Sequence, residues 1–175
     1  MSIALAHLYT GDGKGKTTAA MGLAVRARGC GMRVRVMQFM KQQPTGEQRQ
    51  LESLGVEFER ALTDCDKFVW DMNDVERAEY TQAQRELFER ARTECASGSA
   101  QMLILDEALS ATYLGAFSQN ELCELVRSRR PGLEIVLTGR GAGDELIAVC
   151  DYVTEMRMLR HPMDQGIAAR RGIEY

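Results

Sequence analysis

The sequence predicts an α/β fold: a mainly parallel sheet covered by helices on both faces. Three observations carry this. Apolar runs of strand length alternate with longer stretches of helical period. Two of the runs, residues 101–106 (QMLILD) and 134–138 (EIVLT), are continuous rather than alternating, as in strands buried on both faces. The first run ends in a glycine-rich stretch that opens a helix. Strands alternating with helices imply right-handed crossovers, which place helices on both sides of the sheet. A length of 175 residues fits one domain, 1–175, with room for a substantial core.

The elements follow in order. Residues 3–9 read as the first strand. Residues 16–28 read as a helix with Ala20, Leu23, Ala24 and Ala27 on one face, and Gly29 and Gly31 stop it. Residues 33–40 (RVRVMQFM) make a second strand, and 41–49 a polar loop containing Pro44 and Gly46. Residues 56–60 are a short strand, and 64–74 are irregular. Asn73 or Asp74 caps a long helix running to about Cys95. After the buried strand 101–106, Ser118 caps a helix to about Arg129, with Glu121 in capping-box position. Strand 134–138 leads into Gly139-Arg140-Gly141. A short helix covers 144–150 and a last strand 152–158. The tail after His161 is polar and has no period.

Composition excludes several classes. Hydrophobic content of 45% and charged content of 27% are those of an ordinary globular protein. A net charge of −3 provides no basic field to recruit nucleic acid. The longest apolar runs fall well short of the roughly 20 residues of a membrane span. No basic segment followed by an apolar one marks a signal peptide, so a cytoplasmic protein is expected. Five cysteines (Cys30, Cys65, Cys95, Cys123, Cys150) are widely spaced, and His7 and His161 lie far from any cysteine pair. That spacing argues against zinc and for reduced, mostly buried thiols.

Residues 10–18 carry the most chemistry: Thr10-Gly11-Asp12-Gly13-Lys14-Gly15-Lys16-Thr17-Thr18. Between a strand and a helix, such a loop turns backbone N–H groups and a helix N-terminus toward an anion. Lys16 is expected to reach the phosphates of a nucleotide, and Thr17 to offer its hydroxyl to Mg²⁺. Lys14 adds a second cation. The usual pattern G-x-x-x-x-G-K-[ST] has a glycine at position 10, where this chain has Thr10. Asp12 is either a turn residue tolerating an unusual backbone angle or a participant in binding. Asp106-Glu107, after four apolar residues, has the pattern of an acidic pair holding Mg²⁺ opposite the loop. Arg140, between two glycines, is placed to neutralise a polyphosphate as charge develops. These three segments fall on the carboxyl edge of the sheet, where such folds bind ligands. Arg26 faces either the nucleotide or water. Phe68-Val69-Trp70 lies among Asp64, Asp66, Lys67, Asp71 and Asp74. Its two aromatics are either a core strand face or a mobile flap over a flat apolar ligand.

Read together, these segments resemble the ATP:corrinoid adenosyltransferases. The loop resembles that family's T-G-N-G-K-G-K-T-T. Gln38-Phe39-Met40-Lys41, Thr45-Gly46-Glu47 and Phe68-Val69-Trp70 are similar to its Q-F-x-K, T-G-E and F-x-W. Leu105-Asp106-Glu107, Leu137-Thr138-Gly139-Arg140-Gly141-Ala142 and Val153-Thr154-Glu155-Met156 match L-D-E, L-T-G-R-G-A and V-T-E-M. His161-Pro162, Gly166-Ile167 and Arg171-Gly172-Ile173-Glu174-Tyr175 resemble its ending. The resemblance spans nearly the whole chain in order.

It implies a three-layer P-loop NTPase fold of the RecA-like kind, and a homodimer. It implies transfer of the 5′-deoxyadenosyl group of ATP to the Co(I) centre of a corrinoid, cobalamin or cobyrinic acid a,c-diamide, in adenosylcobalamin synthesis or salvage. Cobalt attacks the ribose C5′ and tripolyphosphate leaves, so the protein's work is positioning and leaving-group stabilisation. The resemblance assigns the triphosphate to the amides of 11–18 (Gly11, Asp12, Gly13, Lys14, Gly15, Lys16, Thr17, Thr18) and to Arg140. It assigns Mg²⁺ or Mn²⁺ to Thr17 and Glu107, with Asp106 as the alternative carboxylate, and brings Arg26 to the nucleotide. Phe68 and Trp70 would pack on the lower face of the corrin and help remove its lower axial ligand. That leaves four-coordinate Co(II), easier to reduce by a reduced flavin protein. The chain departs from the family at Asp12, commonly Asn, and at Ala108-Leu109-Ser110, commonly more polar. Many members also carry an N-terminal extension, whereas here the first strand starts at about residue 3. The rival readings are a P-loop kinase or ATPase, for which no base or water-positioning group stands out, and a non-catalytic ATP-binding regulator, which has no need of an aromatic flap.

Overall fold

The computed structural model describes residues 3–41, 43–61 and 67–174. Asp64, Cys65, Asp66 and Tyr175 lie outside the described residues. Six strands form one sheet: β1 (Ala6–Thr10), β2 (Val34–Gln38), β3 (Glu57–Arg60), β4 (Met102–Asp106), β5 (Glu134–Thr138) and β6 (Tyr152–Glu155). The order is β3-β2-β4-β5-β1-β6, and every pairing is parallel. The helices are α1 (Lys16–Gly29), α2 (Gln48–Ser53), α3 (Asp74–Ser97), α4 (Ala108–Tyr113), α5 (Gln119–Ser128) and α6 (Asp144–Val149). The fold is the expected three-layer α/β arrangement, a parallel sheet with helices on both faces. In it, β5 lies between the strand that carries the glycine-rich loop and the strand that carries the acid pair.

The continuous apolar runs supply both faces of the sheet. On one face Leu103, Leu105, Ile135 and Leu137 pack with Leu87, Phe88 and Ala91 of α3 and Leu122 and Val126 of α5. On the other, Ile104 and Val136 pack with Ala20, Ala24 and Ala27 of α1. Alternate residues of one strand therefore enter different clusters, which explains the loss of the polar–apolar alternation. Among the described residues no helix is long and apolar enough to cross a membrane.

Both predicted caps form, and each is a capping box. The Asn73 side chain, not that of Asp74, accepts from the Glu76 N–H, and Glu76 accepts from the Asn73 N–H. Ser118 and Glu121 do the same for α5. Such a cap stabilises a helix by about 1 kcal/mol. Strand ends differ from expectation by a few residues. Strand β2 stops at Gln38 because Met40 turns into the left-handed region, with φ 58°, and β6 stops at Glu155.

Two helices were not expected. Helix α2 starts inside the segment read as a polar loop; its single buried residue, Leu51, leaves no period to detect. Helix α4 is six residues long and starts at a left-handed Glu107, again too short for a pattern. In the tail, Pro162–Gln165 form a 3₁₀ turn whose His161 ring accepts from the Met163 N–H.

Candidate active site

The glycine-rich loop leaves β1 with Gly11 at φ 95° and enters α1 through Gly15 at φ 118°. These are left-handed angles that glycine adopts without penalty. Asp12 is not among the positive-φ residues, so the reading of Asp12 as a turn residue with an unusual angle is corrected. Its exposed carboxylate instead lies 3.6 Å from the Arg140 guanidinium. The Thr10 hydroxyl accepts from the Ala142 N–H, tying the loop after β1 to the loop after β5.

A partner unseen in the sequence shapes the loop. The segment after β6 lies against it: the Gly13 N–H donates to the Met156 carbonyl (2.6 Å), and the Met156 N–H donates to the Thr10 carbonyl (2.8 Å). A Cβ on Gly11 or Gly13 would stand 2.6 or 2.7 Å from that same carbonyl oxygen. Both glycines are therefore required by close backbone packing as well as by any phosphate.

Lys16 is buried, and its ammonium donates to the carbonyls of Gly11 (2.6 Å) and Gly13 (2.8 Å). Burial holds its pKa below the ordinary lysine value, and the Arg140 charge adds to this. Lys14 is exposed and donates to the Ile173 carbonyl at 2.6 Å, bringing the C-terminal tail to the loop. Thr17 begins α1 half-buried, and Thr18 follows exposed.

Beside β1 and β5, Asp106 is fully buried at the end of β4. Its Oδ1 accepts from the Thr138 hydroxyl (2.8 Å), and its Oδ2 accepts from Gln38 Nε2 (2.9 Å) and Lys41 Nζ (3.0 Å). The same Lys41 ammonium is 3.3 Å from the Thr17 hydroxyl oxygen. Glu107, left-handed at φ 58°, donates its N–H to Thr138 Oγ1 at 2.8 Å, and its carboxylate accepts from Ser110 Oγ. The structure thus brings Thr17, Asp106 and Lys41 together. Gln38, Lys41 and Thr138 were quoted only as parts of motifs and not picked as site residues. The available signal was positional: Gln38 and Thr138 end strands at the same edge, and Gln38 is the register partner of Asp106.

Arg140 is exposed on the loop Gly139-Arg140-Gly141, which packs on α4. A Cβ on Gly139 would meet Leu109, and one on Gly141 the Tyr113 hydroxyl. Phe68 and Trp70 are 62% and 74% exposed and stack on each other, with centroids 4.6 Å apart and planes at 5°. Phe68 caps and Trp70 lies within a 3₁₀ turn, Val69–Asp71, which corrects the core-strand alternative. The Arg77 guanidinium donates to the Val69 carbonyl and secures the turn to α3. A cavity of about 240 Å³ opens between this turn, α3 and α4, lined by Met40, Val69, Arg77, Ser110, Tyr113 and Leu114. Ser110 links it to Glu107. Arg26 is not brought to this edge. It is exposed on α1 and lines a different cavity with Cys30, Met102 and Glu134, near the amino ends of the strands.

The model of the family described as ATP:corrinoid adenosyltransferase BtuR/CobO/CobP matches residues 3–175. The chain belongs to this family. It is 40% identical over 172 residues to the corrinoid adenosyltransferase of Escherichia coli strain K12, covering 96% of this chain and 84% of that one. Corrinoid adenosyltransferase CobA of Salmonella typhimurium strain LT2 is 37% identical over the same shares. Among solved structures, a KaiC-like protein from Pyrococcus horikoshii OT3 superposes with a TM-score of 0.47 at 15% identity, over 90% of this chain and 74% of its own. This adenosyltransferase acts on ATP and a corrinoid, transferring an adenosyl group to the corrinoid, as adenosylcobalamin synthesis requires.

Proposed function

We propose that the carboxyl edge of the sheet is where this transfer takes place, with the triphosphate of ATP as the leaving group. The loop amides of 11–18, Lys14, Lys16 and Arg140 gather its charge, so that C5′ can be attacked by Co(I) and tripolyphosphate departs. The observation that carries this is convergence: the loop, the acid pair and Arg140 share one sheet edge, and a nearby cavity is lined by Val69, between the two exposed aromatics in sequence.

Mg²⁺ or Mn²⁺ belongs to the reading, held by Thr17, Asp106 and Glu107. The donor set suits a hard cation, being a hydroxyl and two carboxylates. Thr17 and Asp106 already share one cation in the Lys41 ammonium, which supports the fit. When bound, the metal neutralises charge on the departing phosphates. Phe68 and Trp70 are read as the flap for the lower face of the corrin, and their neighbour Val69 lines the 240 Å³ cavity. Exposure of both rings supports that role, since rings that must meet a flat apolar ligand need a free face. Arg26, remote from this edge, is the weakest member of the set and enters only through the family's pattern. A cytoplasmic homodimer supplied by a reduced flavin protein completes the proposal.

The test is anaerobic incubation with ATP, Mg²⁺ and a Co(I) corrinoid, following loss of the Co(I) absorbance and identifying the phosphate product. Tripolyphosphate is expected. ADP with orthophosphate would sink the leaving-group reading. Cobalamin, cobinamide and cobyrinic acid a,c-diamide run in parallel identify the preferred acceptor.

A further inference from the structure

Lys41 has no role in the proposed reaction, yet its ammonium lies between two of the oxygens assigned to the metal, 3.0 Å from Asp106 Oδ2 and 3.3 Å from Thr17 Oγ1. The Asp106 carboxylate is fully buried. Its other hydrogen-bond donors, the Gln38 amide and the Thr138 hydroxyl, are neutral. Lys16 feels the Asp106 charge, but its own ammonium is bonded to loop carbonyls. The direct ion pair on this carboxylate is therefore made by Lys41.

A buried carboxylate stripped of its cation is strongly unfavourable. A bare divalent ion reaching this site must displace the ammonium, which then loses the one carboxylate it pairs with among the described residues. A metal–triphosphate complex differs: it arrives with anionic oxygens, and these offer the displaced ammonium a new partner. Lysine's flexible four-carbon stem allows such an exchange without moving the backbone.

We propose that Lys41 is the resident counter-ion of the metal site. It keeps Asp106 and Thr17 oriented, resists bare divalent ions, and yields the site to metal that arrives with nucleotide. Metal and ATP then bind as one unit. Lys41 is a positioning residue, acting through Asp106 and Thr17. The inference rests on the reading of Thr17, Asp106 and Glu107 as the metal site.

The probe is Mn²⁺ alone, titrated into the full-length, nucleotide-free protein with free Mn²⁺ read by electron paramagnetic resonance. Lys41→Met is expected to tighten Mn²⁺ binding by about tenfold or more, equivalent to ~1.4 kcal/mol. Lys41→Arg keeps the charge and is expected to bind Mn²⁺ as weakly as the parent. Circular dichroism and melting check folding, and Lys41→Gln is the neutral variant if Lys41→Met does not fold. Unchanged or weaker Mn²⁺ binding in the neutral variant overturns the proposal, as does an equal gain in Lys41→Arg. Thr17→Ala separates the two readings. If it leaves Mn²⁺ binding unchanged, both with ATP in the parent and without nucleotide in Lys41→Met, the metal site itself is wrong. If it weakens Mn²⁺·ATP binding while Lys41→Met gains nothing, only the counter-ion role fails.

Discussion

Gly13 shows how much one hydrogen atom in place of a side chain can decide. A Cβ there would lie 2.7–2.8 Å from backbone atoms of Met156 and Arg157, which cannot rotate away as a side chain would. Gly13→Ala is therefore expected to lower the melting temperature by several degrees and to weaken ATP binding by about tenfold or more, read by calorimetry. Gly22, inside α1 with nothing within 4 Å of its Cβ position, is the contrast. Gly22→Ala should raise stability by about 0.5–1 kcal/mol. Thiols sort the same way. Burial pushes the Cys95 thiol up to about 12 and Cys150 to about 11, while Cys30 is exposed. Because the thiolate is the nucleophile, iodoacetamide at pH 8 should alkylate Cys30 and spare Cys95 in the native protein, as mass spectrometry of peptides would report. At this scale the loop, the acid pair and Arg140 could be read from the sequence because spacing alone defines them. Lys41 could not, since its importance comes from two oxygens on elements distant in sequence. Asp12 was visible as a departure, but only the structure gives it a partner, Arg140.

Elements announce themselves when they are long or capped. The caps of α3 and α5, and the buried strands β4 and β5, were legible because each has a chemical cause written within a few residues. Helices α2 and α4 were not, since six residues with one to three buried side chains make no period. The aromatic turn is the element on which the proposed displacement of the corrin's lower ligand depends. Phe68 and Trp70 stack on each other in solvent and hold no core together. Phe68→Ala with Trp70→Ala should leave the melting temperature nearly unchanged and spare transfer to prereduced Co(I), while slowing turnover that begins from Co(II). Equal loss in both assays would remove the ligand-displacement role.

For the whole molecule, the all-parallel order β3-β2-β4-β5-β1-β6 gathers residues from distant parts of the chain at one edge. The class of fold was legible, because continuous runs imply a sheet covered on both sides. The neighbours of each strand were not, because register depends on packing among elements that no local pattern records. Among the described residues strand β6 pairs with β1 alone, yet the segment beyond it packs against the glycine-rich loop. Chain shortened after residue 150 is thus expected to lose ATP binding, measured by equilibrium dialysis, even where a compact fold persists. There is a consequence for biosynthesis. Residues 10–18 leave the ribosome long before Met156, and domains form from the N-terminus as they emerge. A loop that takes its shape from Met156 is unfinished while the growing chain stops short of that residue, so nucleotide held there, as we propose, would report synthesis at least that far.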